Sequence, residues 1–491
     1  MSRIQTVRKS GPAIERRSID FVPARERHGK PSGQFTLWFG ANMQITAIVT
    51  GALAVIFGAP AFWGILGLLI GNLLGGAVMA LHAAQGPKLG MPQMISSRAQ
   101  FGVFGAVIPL VLVIIMYLGF AATGAVLAGQ AVDQIIHTGN TTVGVLIFGA
   151  LTVLVATLGY KYIHILGRIS TVVGIIGFTY LAIQLVLKYD VGAVLGVGGF
   201  AFPTFLLAIS LSAGWQLTYG PYVADYSRYL PANTPAKKTF LACMSGSVLG
   251  AQWSMTLGAL FAAIPMAAGK AFIDNQVAFV GELAGGGLIA ILMYIVIVVG
   301  KLTINTLNAY GGYMTILTSV SAFTRQLRFA PWVRFAYVIG FIGVSVIIAL
   351  AASADFIHNF KNFVLVLLMV FIPWSSINLV DFYFSSKEKL DIPALYDPKA
   401  RYGGWNVPAL LTYALGIVIQ IPFLAQSMYT GPITPLIGGA DISWIVGLVV
   451  TAAVYYPVAK RFNHPPKDMI YPADEEVGPD PALAAAETAA K

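Results

Sequence analysis

Cysteine is almost absent: Cys243 is the single one in 491 residues. One thiol excludes a disulfide framework and a cysteine-built metal site. Charge is scarce too, at 10% Asp, Glu, Lys and Arg, against roughly 25% in an average soluble domain. The six histidines (His28, His82, His137, His164, His358 and His464) are scattered and never spaced as paired ligands. No phosphate loop, metalloprotease helix or nucleophile elbow occurs. Neither an enzyme nor a bound cofactor is therefore expected.

What fills the chain is apolar, 57% of all residues. Twelve runs are long enough to be membrane spans, each needing roughly 20 apolar residues. They fall at about 34–57, 63–84, 103–132, 141–158, 165–187, 202–222, 239–267, 287–317, 333–351, 362–384, 406–425 and 443–459. A net charge of +10 would suit a nucleic-acid partner, but its distribution points to a membrane. With the N-terminus inside, 26 of the 30 lysines and arginines lie in inner segments, and the outer loops keep only Lys188, Lys270 and Lys361. That bias places both termini in the cytoplasm of a plasma (inner) membrane protein. No nucleic acid is expected as a partner, only the bilayer and a small solute, with the chain acting as a monomer.

Three spans carry residues that lipid does not favour. In span 1, WFGANMQ (Trp38 to Gln44) brings Gly40, Asn42 and Gln44 together and predicts an interrupted helix whose freed backbone lines a cavity. In span 6, SAGWQ (Ser212 to Gln216) repeats the anomaly, and Tyr219, Gly220 and Pro221 follow. Two interrupted spans, five apart and so opposite in direction, are the trace of an inverted repeat with its site between the halves. In span 8, Lys301, Asn305, Asn308 and Gly312 stand at i, i+4, i+7 and i+11, one stripe of a helix. A charged residue at the depth of Lys301 costs at least about 2.5–3.5 kcal/mol, which makes it a functional candidate. Gly67, Gly71 and Gly75 form a small-residue packing ridge on span 2. Residues 85–102 are expected to form an interfacial helix on the cytoplasmic side. In span 3, Tyr117 and Phe120 share a helix face.

This set of groups suits a flat heterocycle. Aromatic faces such as Trp215 and Tyr117 stack on rings, and carboxamides such as Gln44, Asn305 and Asn308 match an edge of donors and acceptors. An ion channel would need a polar lining along its whole length, which three local breaks do not provide.

Several stretches together resemble the nucleobase:cation symporter family, the cytosine/purine/hydantoin permeases. They are ERRSIDFVPARERHGKP with FTLWFGANMQ, GPKLGMPQMISSRAQFG, ADYSRYL and INLVDFY. The resemblance runs from about residue 15 to 465 and is closest in flavour to the purine-cytosine permeases. It implies an all-α membrane protein of the sodium–amino-acid symporter fold, with two inverted five-helix repeats and discontinuous helices 1 and 6. On this reading residues 1–33 are a cytoplasmic tail, 34–187 and 202–386 the two repeats, 387–463 two peripheral helices and 464–491 a disordered tail.

The resemblance also implies uptake of a nucleobase-like heterocycle, cytosine or a purine, by symport with H+ or Na+. The alternative is a same-fold symporter for hydantoin, allantoin or another small solute such as an amino acid. The family's stacking tryptophan falls on Trp215, with Gly214 alongside, and its helix 1 glutamine on Gln44. Its helix 3 aromatic falls on Tyr117, while Ala121 replaces a family glutamine. Its helix 8 asparagine falls on Asn308 or, in another register, on Asn305 or Thr306. Asn42, Phe120 and Gln216 complete the expected substrate set. The family's sodium site maps to the carbonyls of Gly40 and Met43 with Thr303, but Ile304 stands where relatives show a hydroxyl. Lys301, two residues before Thr303, is expected to supply the charge instead and to titrate during proton-coupled transport.

Overall fold

The computed structural model describes residues 19–158, 160–264, 272–324 and 331–472. The expected cytoplasmic tail up to residue 18, the outer-loop Lys270 and residues 473–491 of the expected disordered tail fall outside these. Apolar runs with no water to bond must satisfy every backbone group internally, and helices do so. A helix accordingly falls on every run read from the sequence. The first run splits into α1 (Pro31–Asn42) and α2 (Ile45–Ile56), bent by 61°. Then come α3 (Ala61–Leu89), two short helices, α4 (Gln93–Ser96) and α5 (Arg98–Phe101), and α6 (Val107–Ile136). Next are α7 (Thr141–Leu158), α8 (Tyr160–Lys188), the five-residue α9 (Val191–Leu195), α10 (Phe202–Leu217) and α11 (Val223–Ser227). The chain continues with α12 (Ala236–Ala263), α13 (Gln276–Ala284), α14 (Gly287–Thr324), α15 (Pro331–Ala352) and α16 (Phe356–Leu379). It ends with α17 (Val407–Val418) and α18 (Ser443–Phe462). Among the described residues six helical stretches are long and apolar enough to cross a membrane. The bent pair α1–α2 makes a seventh, and three further apolar helices are shorter.

The inner bundle is built by close backbone approach. Helix α10 packs on α3, α12 on α1, α2 and α3, and α14 on α6. The glycine ridge of α3 explains the first of these. A Cβ at Gly71 would run into the Ile209 carbonyl and Ser212 Oγ, and one at Gly75 into the Ala213 backbone. Side chains at those positions would push α10, and Trp215 with it, off the bundle.

Three expectations are corrected. Ser212 to Gln216 are helical, and the interruption of span 6 lies after them, at residues 218–222 between α10 and α11. Ser212 meets its hydroxyl within the helix, on the Ala208 carbonyl, while Gly220 and Pro221 end the hydrogen-bond ladder. Residues 85–102 do not lie on an interface: α3 continues through Pro87 to Leu89, and α4 and α5 are buried. Their polar groups are met inside the protein, Arg98 donating to the carbonyls of Leu395 and Thr318 and to Ser321 Oγ. Burial pulls the Arg98 guanidinium down only to about 10, so it remains a cation at neutral pH.

The third correction concerns residues 464–472, assigned from composition to a disordered tail. Ile470 pairs with the segment after α16, its N–H donating to the Leu390 carbonyl (3.0 Å) and its carbonyl accepting from Ile392 N (2.9 Å). Tyr471 meets Phe21 at 5.9 Å and donates to the Lys88 carbonyl. The first described residues lie on the same face, with Ile19 and Val22 buried, Val22 N bonded to Gly90 O and Tyr396 donating to Ile19 O. Hydrogen bonds and apolar contacts too few to see in composition hold the first and last described residues there.

Candidate functional site

The break in span 1 is local and has a plain cause. Gln44 takes an extended conformation (φ −146°, ψ 154°), and Met43 N turns back to the Gly40 carbonyl. The ladder restarts when Ala47 N reaches the Gln44 carbonyl. Into this break comes Lys301 from α14. It is 2% exposed, and its Nζ donates to Gln44 Oε1 (2.9 Å) and Thr46 Oγ1 (2.7 Å). Gln44 Nε2 donates in turn to the Ala41 carbonyl (2.9 Å). Thus Lys301 and Gln44 meet directly, while Thr303 bonds only within its own helix, to the Val299 carbonyl. Gly40 is turned toward α8, where a Cβ would strike Thr171. A small cavity adjoins the bridge, lined by Met43, Gln44, Ser170, Gly174 and Gly300 among others.

One helical turn beyond Lys301 lies Asn305. Gly124 of α6 leaves the room for both: a Cβ there would meet Asn305 Oδ1 and Lys301 Cε. Asn305 Nδ2 donates to the Ala121 carbonyl of α6 (2.9 Å), but its Oδ1 is buried without a partner. Asn308 Nδ2, on the next turn, is buried without one as well. Aromatic rings lie alongside on α6. Tyr117 packs over Gly311 and meets Tyr222 at 5.3 Å. Phe120 meets Trp215 edge-on, at 5.7 Å and 90°. The structure therefore gathers Gln44, Lys301, Asn305, Asn308, Tyr117, Phe120 and Trp215 about one region where α1–α2, α6, α10 and α14 meet.

Asn42, Gly214 and Gln216 are arranged differently from the expectation. Gly214 packs against Val364 and Leu368 of α16. The Gln216 amide joins Ser247 Oγ (2.6 Å) to Asn72 Oδ1 (3.0 Å). Asn42 is fully buried among Trp38, Trp215, Tyr219 and Ser247. Sequence reasoning missed Thr46, Tyr222, Asn72 and Ser247, and named Tyr219 at the break without giving it a role. Thr46 was open to notice, two residues past the break, but the hydroxyl and amides on α3 and α12 carry no local anomaly.

A second polar cluster closes the face that holds the chain ends. His82, stacked on Trp374 at 4.8 Å, bonds Ser375 Oγ. Gln85, Gln93, Gln100 and Asn378 continue the cluster to Asp381, which also accepts from Tyr455 and Asn463. Asp225 caps Gln93 N (2.8 Å). Both carboxylates of the ADYSRYL and INLVDFY stretches are thus used to tie short helices across this end.

A family profile described as permease for cytosine/purines, uracil, thiamine, allantoin matches residues 21–447. A Bacillus subtilis (strain 168) protein assigned as a purine-cytosine permease is 38% identical over 449 residues, covering 91% of this chain and 96% of its own. Among solved structures, Mhp1, a nucleobase-cation-symport-1 family transporter in a closed conformation with bromovinylhydantoin bound, superposes with a TM-score of 0.72. The identity is 20%, over 91% of this chain and 95% of that one. A Na+-coupled sialic acid symporter superposes at 0.60 with 10% identity, over 93% and 94%. At these identities the solved structures establish the shared helical fold.

Proposed function

Because this chain belongs to the family of permeases for cytosine and purines, uracil, thiamine and allantoin, we propose that it imports a nucleobase-like heterocycle, cytosine or a purine, by cation symport. The observation that carries the reading is the pair of unmet amide atoms, Asn305 Oδ1 and Asn308 Nδ2, on α14, which packs on α6, whose Phe120 meets Trp215 of α10. A buried polar atom without a partner costs roughly 1–3 kcal/mol. A base edge, which presents donors and acceptors side by side, removes that cost while its faces stack on Trp215 and Tyr117. Trp215, Tyr117 and Phe120 hold the ring, Asn305 and Asn308 read its edge, and Gln44 is released to it when its bond to Lys301 opens.

The same geometry supports proton coupling through Lys301. Ile304 adds no oxygen beside Thr303, so the hydroxyl pair implied by the resemblance is incomplete. Lys301 Nζ instead stands at the break on two oxygens. The protein works as a monomer in the plasma membrane, both termini cytoplasmic, a placement supported by the clustering of its basic residues. The two broken spans act as the paired centres of inverted repeats.

Uptake of radiolabelled cytosine by cells expressing the protein, competed with adenine, hypoxanthine, uracil, allantoin and leucine, tests the substrate. Competition by adenine or hypoxanthine and indifference to leucine is the expected result. Uptake displaced by allantoin alone, or no cytosine uptake at all, overturns it.

A further inference from the structure

We infer that Asn42 is a positioning residue, which sets the tilt of the Trp215 indole and ties the break of span 1 to that of span 6. The assignment of Trp215 as the ring that stacks on substrate is taken from the preceding section.

An asparagine amide offers two donor hydrogens and accepts two hydrogen bonds at its oxygen. All four are used here. Asn42 Oδ1 accepts from Trp215 Nε1 (2.7 Å) and from the Tyr219 hydroxyl (3.1 Å). Its Nδ2 donates to the Trp38 carbonyl (2.8 Å) and to Ser247 Oγ (3.1 Å). Nothing is left for a substrate, which is why a residue expected to bind one acts through its neighbour.

The positions of the partners give the bond pattern its meaning. Asn42 is the last residue of α1, directly before the break at Met43 and Gln44. Trp215 stands on the last turn of α10, and Tyr219 lies inside the following interruption. One oxygen at the first break therefore holds residues before and within the second. The amide is anchored behind by α12, where Ser254 Oγ donates to the Asn42 carbonyl (2.8 Å) and Ser247 passes the chain to Gln216, Asn72 and Gln252. The indole is buried in the apolar core, and its single polar atom gives its hydrogen bond to Asn42. Phe120 and Tyr219 touch it edge-on, at 90° and 87°, and its N–H is held by Asn42 Oδ1. Any swing of α1 at its break carries Asn42, and the ring platform turns with it.

Two readouts separate this role from general support of the fold. In transport of radiolabelled cytosine, Asn42→Ala and Trp215→Phe each raise KM about tenfold or more with Vmax little changed, because the ring persists but is no longer held. The double variant is expected to match Trp215→Phe alone; a KM equal to the product of the two single effects overturns the inference. The second readout needs no substrate. In protein labelled with 5-fluorotryptophan, the 19F resonance of Trp215 is assigned by its loss in Trp215→Phe. It is expected to shift and broaden in Asn42→Ala, and an unchanged resonance overturns the inference. If Asn42→Ala fails to assemble, Tyr219→Phe, which removes one donor to Oδ1 and keeps the ring, is read the same way. A wild-type protein that takes up no cytosine refutes the nucleobase reading, and the resonance still decides the role of Asn42.

Discussion

Asn305 and Asn308 stand on adjacent turns of α14, yet only one of them is anchored. Asn305 is held by its bond to the Ala121 carbonyl, so its free Oδ1 is fixed in direction before any ligand arrives. Such preorganisation lowers the ordering cost of binding. Asn305→Ala and Asn308→Ala are each expected to weaken cytosine binding by about tenfold, since each removes one edge contact. Asn305→Ala should leave the melting temperature little changed, because the lost bond to the Ala121 carbonyl, which keeps its donor within α6, is offset by removal of the unmet Oδ1. Scintillation-proximity binding paired with a thermal melt of the purified protein measures both. Binding unchanged in both variants removes these amides from the site. The stripe that contains them was legible because charge and amide at helical spacing are costly in lipid. Which atoms of the stripe stay unmet was not legible, for that depends on where α6 presents a carbonyl and on the lack of a side chain at Gly124.

Among elements, the two interruptions show how local chemistry and packing divide the work. The break of span 1 sits where Gly40, Asn42 and Gln44 predict it, since the turn is made by residues within a few positions. The break of span 6 lies further down the chain, where Gly220 and Pro221 end the ladder, while Ser212 and Gln216 meet their polar groups inside the protein. The α3–α10 contact carries a stability prediction. Gly71→Val would force a branched side chain into the Ile209 carbonyl and Ser212, and overpacking of this kind costs about 1–3 kcal/mol or more. It should lower the melting temperature and reduce folded yield in size-exclusion chromatography. Gly33→Ala, in α1 with open space around it, should be neutral or slightly stabilising. Equal behaviour of the two variants would place the α3 ridge away from the contact that holds α10.

For the whole molecule the question is what drives it. Lys301 links α14 to the break of span 1 through Gln44 and to α2 through Thr46, so under the proposed proton coupling its charge state would act on the bond that holds Gln44. In proteoliposomes a pH gradient, inside alkaline, is expected to drive cytosine accumulation without sodium, and a sodium gradient alone is not. Lys301→Gln should leave exchange but abolish accumulation against a gradient; accumulation driven by sodium in that variant contradicts proton coupling. The amino-acid order alone settled that this is a helical membrane protein with broken spans 1 and 6, a buried lysine and a ring-and-amide set. Each of those follows from the cost of placing a residue type in lipid, which depends on neighbours a few positions away. The pairings belong to the tertiary structure alone: Lys301 with Gln44 across 257 residues, Asn42 with Trp215 across 173, and residue 470 with 390 and 392. A hydrogen bond between distant residues is decided by the register of whole helices, which glycine contacts set and no local pattern encodes.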